Sequence, residues 1–249
     1  EEKSGDTLAG IGAESAGQRV AAKIVLANIT LEQLRNNPAV PYEIDEVTRI
    51  IQDDVNEKIY NEIKNWTVAE FSEWILDENT TGADIRRISR GITAEMVAAV
   101  AKLMSNMDLV YGARKIRVTA HCNTTIGEPG TLSCRLQPNH PTDDLDGIMA
   151  SVLEGLTYGA GDAVIGLNPV DDSTESVMRI LNRFEEAKQK FKIPTQNCVL
   201  AHVTTQMEAI RKGAPSDLIF QSIAGSQKGN EAFGFSAATL EEARQLALT

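Results

Sequence analysis

The sequence lacks most of the features that mark specialised protein classes. None of its apolar runs approaches the ~20 residues needed to cross a bilayer, which excludes a transmembrane reading. Cysteine is scarce: Cys122, Cys134 and Cys198 are an odd number, widely spaced, with no C-x-x-C and no Cys/His cluster. That excludes a disulfide framework and a structural zinc site, and makes a reducing, cytosolic compartment the expectation. Basic residues are the minority, 24 Lys and Arg against 35 Asp and Glu, for a formal charge of -11. With no Lys/Arg block, the chain has no surface with which to displace phosphate counterions, and a nucleic-acid partner is not expected. The N-terminal EEKSGDTLAG has neither a basic region nor an apolar core, so no signal peptide is expected there, and without an initiator Met the gene is not expected to start at Glu1. No internal repeat or low-complexity tract is evident. What is present, 42% hydrophobic and 24% charged residues, is the composition of an ordinary soluble globular protein.

Residues 1–115 read as helical. From Ile44, the apolar positions Val47, Ile50, Ile51, Val55, Ile59 and Ile63 recur in steps of three and four, which predicts one helical face. Thr30 with Gln33 and Thr67 with Glu70 are capping boxes. Pro38 and Pro41 predict a break, and Thr93–Ser105 a further helix. Beyond residue 115 the rhythm changes. Strand-like runs at 133–137, 163–168, 198–203 and 218–223 alternate with helical stretches at 143–158, 173–190, a short one ending at Gly213, and 237–248. Strands separated by helices imply parallel pairing. The strand ends fall ~30 residues apart, the spacing of a β/α barrel unit. The expected fold is therefore α/β, a (β/α)8 TIM-type barrel of which residues 116–249 hold about the first four units, after an N-terminal helical region. Four units leave open edges, so a longer barrel protein is expected; a flavodoxin-like open sheet is the alternative.

In a barrel the active site forms at the C-terminal ends of the strands. That rule selects Arg135, Gln137, Asn168 with Pro169, His202 through Gln206, Gln221 and Ser222. The set is neutral and polar apart from Arg135, and it has no nucleophile–base pair and no metal cluster. It suits positioning of a small polar molecule and not acid–base hydrolysis. Other readings stand beside this one. Gln137-Pro138-Asn139 and Asn168-Pro169 are also turn chemistry. Arg135 also fits a structural ion pair, and His202 a satisfied core histidine. Gly159-x-Gly161 precedes a strand, fails the dinucleotide-binding context and reads as turn relief. Asp171-Asp172 reads as a helix cap, Asp53-Asp54 as solvated surface, and the loop at 123–127 has no assigned role.

A resemblance sharpens this picture. Arg-Asn-Asn-Pro (35–38), Thr-Arg-Ile-Ile-Gln-Asp (48–53), Ile-Lys-Asn-Trp (63–66) and Asn-Thr-Thr-Ile-Gly (123–127) resemble stretches of the ethanolamine ammonia-lyase large subunit. So do Arg-Leu-Gln-Pro-Asn (135–139), Gly-Asp-Ala-Val-Ile-Gly-Leu-Asn-Pro-Val (161–170), Val-Leu-Ala-His-Val-Thr-Thr-Gln (199–206), Arg-Lys-Gly-Ala-Pro (211–215) and Ile-Phe-Gln-Ser-Ile (219–223). They run along the chain in the family's order. The resemblance implies an adenosylcobalamin-dependent radical lyase that converts ethanolamine to acetaldehyde and ammonia. It implies a small-subunit partner, association of large subunits in a hexamer of heterodimers, and residence in a bacterial microcompartment. It also implies that Arg135, Leu136, Gln137 and Asn168 bind substrate, with Arg135, Gln137 and Asn168 catalytic, and that Pro169 and Gln221 contact the corrinoid. The family's further Glu and Asp come from later strands that this chain does not reach. No histidine lies in a D-x-H-x-x-G context, so no protein ligand to cobalt is expected. Alternatives are an inactive scaffold for a small subunit or shell protein, and a related cobalamin lyase or mutase acting on another small amino alcohol or diol.

Overall fold

Side-chain caps set the helix starts in the first part of the chain. In the computed structural model, which describes Gly10 and residues 12–249, Thr30 and Thr67 each accept from the backbone three residues on while Gln33 and Glu70 reach back, so both expected capping boxes form. The reading of residues 1–10 as no leader falls, apart from Gly10, outside the described residues. Described helices here are α1 (Ala16–Ala27), α2 (Leu31–Asn36), α3 (Glu46–Asp53), α4 (Glu57–Ile63), α5 (Val68–Leu76), α6 (Gly82–Ile88), α7 (Ala94–Leu103) and α8 (Asn106–Arg114). The Pro38–Pro41 break separates α2 from a 3-10 turn at Tyr42–Ile44. The single face expected from Ile44 to Ile63 is corrected. Asn56 caps α4 by accepting from Ile59 N–H, so the helix is cut between Asp53 and Glu57. Ile44 and Ile50 are exposed, while Val55 and Ile63 enter a core with Leu31, Val68, Phe71 and Met96. The chain divides into two compact units, one ending at Arg117 and the other Val118–Thr249.

The second unit is mixed α/β. A short antiparallel pair, β1 (Ala120–His121) and β2 (Thr125–Ile126), precedes three parallel strands in sequential order: β3 (Arg135–Leu136), β4 (Val164–Leu167) and β5 (Asn197–Val199). Helices α9 (Leu145–Thr157) and α10 (Thr174–Phe191) make the crossovers that parallel pairing requires. They are followed by α11 (Val203–Arg211), α12 (Gln227–Ala232) and α13 (Ala237–Ala247). Ile148 and Val152 of α9, and Val177, Ile180, Leu181 and Phe184 of α10, cover Ile165, Leu167 and Val199. Each such fully buried side chain stabilises by roughly 1.5–3 kcal/mol relative to exposure.

The sheet has three parallel strands among the described residues and is open, and no closed barrel is shown. Three expectations need correction. Leu218–Ile223 is not a strand, because side chains rather than a neighbouring backbone take up its polar groups. The run expected at 198–203 ends at Val199; Ala201 N–H turns back to Val199 O, and His202 is the N-cap of α11. Ser173, not Asp171 or Asp172, caps α10; Asp171 instead holds Ser173 N–H and hydroxyl. Gly159 and Gly161 have φ of +78° and +101°, the turn-relieving role read for them. No described helix is long and apolar enough to cross a membrane.

Candidate active site at the strand tips

Strand alternation sorts the expected site residues. The register pairs Arg135 with Val164, Leu136 with Ile165, Gly166 with Cys198 and Leu167 with Val199. Leu136, Ile165, Leu167 and Val199 therefore share the face packed on the helices, and Arg135, Val164, Gly166 and Cys198 the opposite face. Gln137 and Asn168 follow directly at the C-terminal ends of β3 and β4. Leu136 itself lies so close to α9 that a Cβ on Gly155 would stand 2.4 Å from its Cδ1.

Arg135 is exposed and makes no ion pair among the described residues, so the structural ion-pair reading fails. One guanidinium nitrogen donates to Gly166 O at 3.3 Å, and the group lies 4.9 Å over the Phe220 ring, a cation–π contact. Gly166 makes room for Cys198: a Cβ there would stand 2.5 Å from Cys198 Sγ, while its 3.6 Å to Arg135 Nε would be ordinary contact. Burial pushes the Cys198 thiol up from its ordinary pKa, and the Arg135 charge opposes that.

Gln137 and Asn168 are both exposed, and their side-chain amides make no hydrogen bond among the described residues. Their backbones are fixed: Gln137 O accepts Asn139 N–H, and Asn168 N–H donates to Asn139 Oδ1 at 2.9 Å. Pro169 is half-buried beside them. Gln221 differs, since its amide is already engaged: Oε1 accepts Val203 N–H at 2.9 Å and Nε2 donates to Ser222 O at 3.0 Å. His202 is satisfied, but as the half-buried cap of α11 and not as a core histidine. Nε2 faces Phe233 O at 2.8 Å and must carry the proton, so Nδ1 accepts from Thr204.

Gln206, one of the residues selected at the strand tips, is buried and acts as a support: it donates to Ala201 O and Phe220 O while accepting Phe220 N–H. Sequence reasoning missed one supporting residue. Asp143, only 4% exposed and with φ +50°, accepts the N–H groups of Val170 and Asp171, and its Oδ1 has no partner among the described residues. The visible signal for Asp143 was an acidic residue read merely as the start of a helix.

The loop at 123–127, left without a role, sits at the other end of the strands. Asn123 and Thr124 donate to Gln196 Oε1, just before β5, and Asn123 also reaches Asp217. Asp217 pairs with buried Lys188 and exchanges hydrogen bonds with Asn197. Burial disfavours the Lys188 charge, but the Asp217 and Glu185 carboxylates outweigh it and its pKa is raised. This polar layer supports the N-terminal ends of the strands, where residues serve stability. Two cavities lie away from the strand tips, one of about 740 Å³ lined by Arg35, Tyr42, Asp53 and Glu57, the other beside Lys188. Among the described residues no group of three or more His, Cys, Asp or Glu is placed to hold a metal ion.

The strand tips thus present one cation and two unengaged amides, with their backbones held by neighbouring loops. A family model described as "Ethanolamine ammonia lyase large subunit (EutB)" matches residues 1–249. Curated ethanolamine ammonia-lyase large subunits of Salmonella typhimurium and Escherichia coli K12 are 57% identical over 242 residues, which is 97% of this chain. The chain spans about half (53%) of the length of those relatives. With a match along its whole length and this level of identity, the chain belongs to the ethanolamine ammonia-lyase large subunit family.

Proposed function

We propose that the chain is the N-terminal half of the large, substrate-binding subunit of an adenosylcobalamin-dependent radical lyase that converts ethanolamine to acetaldehyde and ammonia. On this reading residues 1–115 are a helical region, and residues 116–249 open a (β/α)8 barrel whose other units lie in the part of the relatives beyond this chain. The sequential parallel order of β3, β4 and β5 supports that architecture. The observation that carries the functional reading is the pair of unengaged amides, Gln137 and Asn168, at adjacent strand ends with Arg135, in a chain 57% identical to named lyase subunits.

Ethanolamine carries an ammonium and a hydroxyl. The amide oxygens of Gln137 and Asn168 accept from either. Arg135 donates its free N–H groups to the hydroxyl oxygen or to the migrating amino group, and orients a neighbouring carboxylate. A guanidinium and an ammonium 4 Å apart repel by about 4 kcal/mol near a protein surface, so a carboxylate must stand between them. The family's Glu and Asp from later strands have that role. Leu136, with its side chain turned to α9, meets substrate through its backbone.

Adenosylcobalamin, when bound, supplies the radical reactivity, and the protein supplies binding and orientation. The exposed apolar side chains of Val170, Phe220, Ile223 and Phe233, on loops following the strand and helix ends, support a broad, partly apolar ligand such as a corrin ring. Pro169 and Gln221 would hold it, Gln221 as a fixed wall because its amide is committed to α11. A small subunit completes the enzyme, in a hexamer of heterodimers within the cytoplasm or a bacterial microcompartment.

The test is kinetic, in the full-length large subunit with small subunit and cofactor. Arg135→Ala is expected to lower kcat/KM for ethanolamine about 30- to 1,000-fold, the equivalent of about 2–4 kcal/mol. A near-normal value overturns the assignment. Preferred turnover of 2-aminopropanol or propane-1,2-diol over ethanolamine overturns the substrate.

A further inference from the structure

Between the end of β4 and the cap of α10, the chain crosses the rim of the proposed site at Asn168-Pro169-Val170-Asp171. Proline has no N–H, so this segment has three backbone donors. All three go to side chains of the preceding loop. Asn168 N–H donates to Asn139 Oδ1 at 2.9 Å, and Val170 and Asp171 N–H both donate to Asp143 Oδ2 at 2.8 Å. We propose that Asp143, assisted by Asn139, is a positioning residue that fixes the Asn168–Pro169 rim. The inference rests on the reading of Asn168 and Pro169 as substrate and corrinoid contacts.

The contrast in burial argues for it. Asn168, Val170 and Asp171 are exposed residues, yet the acceptor that holds two of their N–H groups is a carboxylate only 4% exposed. Burying an acid beneath an exposed rim adds nothing to solubility and needs a compensating reason. Asp143 is also held at φ +50°, a left-handed conformation that side chains rarely adopt, and such outliers persist only where the surroundings over-determine them.

The surroundings do so. Asp143 N–H donates to His140 O at 3.3 Å, and His140 Nδ1 accepts the N–H groups of Thr142 and Asp144. Asp144 caps α9 through Gly147 N–H at 2.8 Å. A Cβ at Gly147 would stand 2.5 Å from His140 Nε2, so glycine there admits the imidazole. The loop is therefore pinned to α9, and the rim of β4 is pinned to the loop. The scheme repeats one strand on, where Asp172 accepts His202 N–H at 3.0 Å.

The experiment uses the full-length large subunit assembled with its small subunit. Asp143→Gly keeps the left-handed backbone open and deletes the carboxylate; Asp143→Asn keeps an acceptor oxygen and tolerates the same φ. In Asp143→Gly the amides of Val170 and Asp171 are expected to exchange hydrogen at least ~30-fold faster, with KM for ethanolamine raised roughly 10-fold and kcat lowered less. Asp143→Asn is expected to return exchange and KM to within about 3-fold of the parent, because the acceptor is retained. Asn139→Ala, a milder change at an exposed position, is expected to release Asn168 N–H alone and to raise KM by about 3-fold. Unchanged exchange at Val170 and Asp171 in Asp143→Gly overturns the proposal. So does faster exchange with KM and kcat both at parental values, or an Asp143→Asn variant as impaired as Asp143→Gly. If Asp143→Gly does not assemble, Asn139→Ala decides, on Asn168 exchange and KM together. If the parent complex itself fails to turn over ethanolamine, the enzymatic reading falls, and the exchange measurements alone decide whether the clasp exists.

Discussion

Replacing Gln206 by Leu tests whether a side-chain amide substitutes for a missing strand ladder. Gln206 is buried, and its Nε2 donates to Ala201 O at 2.6 Å and Phe220 O at 2.7 Å while Oε1 accepts Phe220 N–H at 3.0 Å. Leucine has nearly the same volume and no polar atom, so packing is kept and all three bonds are lost. A net ~1 kcal/mol for each bond gives about 3 kcal/mol. Two corrections work in opposite directions. Ala201 is buried, so its orphaned carbonyl adds to the loss, whereas Phe220 is 40% exposed and its freed groups find water. A loss of about 3 kcal/mol in equilibrium urea unfolding of the full-length protein is therefore expected. Gln206→Glu should lose more, because it removes both donors and buries a carboxylate against two carbonyl oxygens. Phe220 also carries the ring under Arg135, so on the proposed reading Gln206→Leu weakens ethanolamine binding while Arg135 remains intact. A Gln206→Leu protein within about 0.5 kcal/mol of the parent, the range of an ordinary surface change, refutes the reasoning, since residues 218–223 would then be held by something other than this amide.

Gly166→Ala should destabilise by about 1–3 kcal/mol through overpacking, and Cys198→Ala in the same chain should recover much of it by removing the sulfur 2.5 Å from the new methyl; a double-mutant cycle in urea reads the coupling. Arg35→Lys should cost about 1–2 kcal/mol, because lysine cannot reproduce the bonds to Glu57 and Gln52 or the stacking 4.2 Å over Tyr60; a thermal midpoint shift reads it. Glu241, hydrogen-bonded by Arg244 and Gln245, is lowered to about 2. Because its folded pKa is depressed, its contribution is present above the ordinary glutamate value of ~4.3 and is lost as pH falls through about 2. Carboxyl NMR titration should show that value, and Arg244→Ala should move it up toward 4.5.

What was legible in the sequence follows from where the information is local. Capping boxes at Thr30 and Thr67 depend on residues three apart, and they formed as read. The periodic apolar faces of α9 and α10 likewise needed only neighbours along the chain. The errors arose where a short-range pattern met a single competing residue. Asn56 offered its side chain to Ile59 N–H and divided a face that periodicity alone had joined. His202 has the apolar neighbours of a strand but bonds Thr204, so it caps a helix instead.

The same competition explains the missing fourth strand. Leu218–Ile223 has a strand's apolar composition, but composition does not supply a partner for its backbone. That partner comes from polar side chains distant in sequence: Gln206 for Phe220, and Asn197, just inside β5, for the Asp217 backbone that leads into the run. Gln221 then offers its own amide to the start of α11. A glutamine inside an otherwise apolar helical face and an asparagine opening a buried strand are the marks that period-counting treats as noise. Asn197 serves the N-terminal end of the strands, whereas Gln206 serves the tips, since the Phe220 it holds stacks on Arg135. A ladder of backbone bonds fixes where a strand lies, but it commits every donor and acceptor that faces the neighbouring strand. Amide side chains hold a strand tip at single points and leave the neighbouring groups unengaged, which is what the proposed grip on a small polar molecule requires.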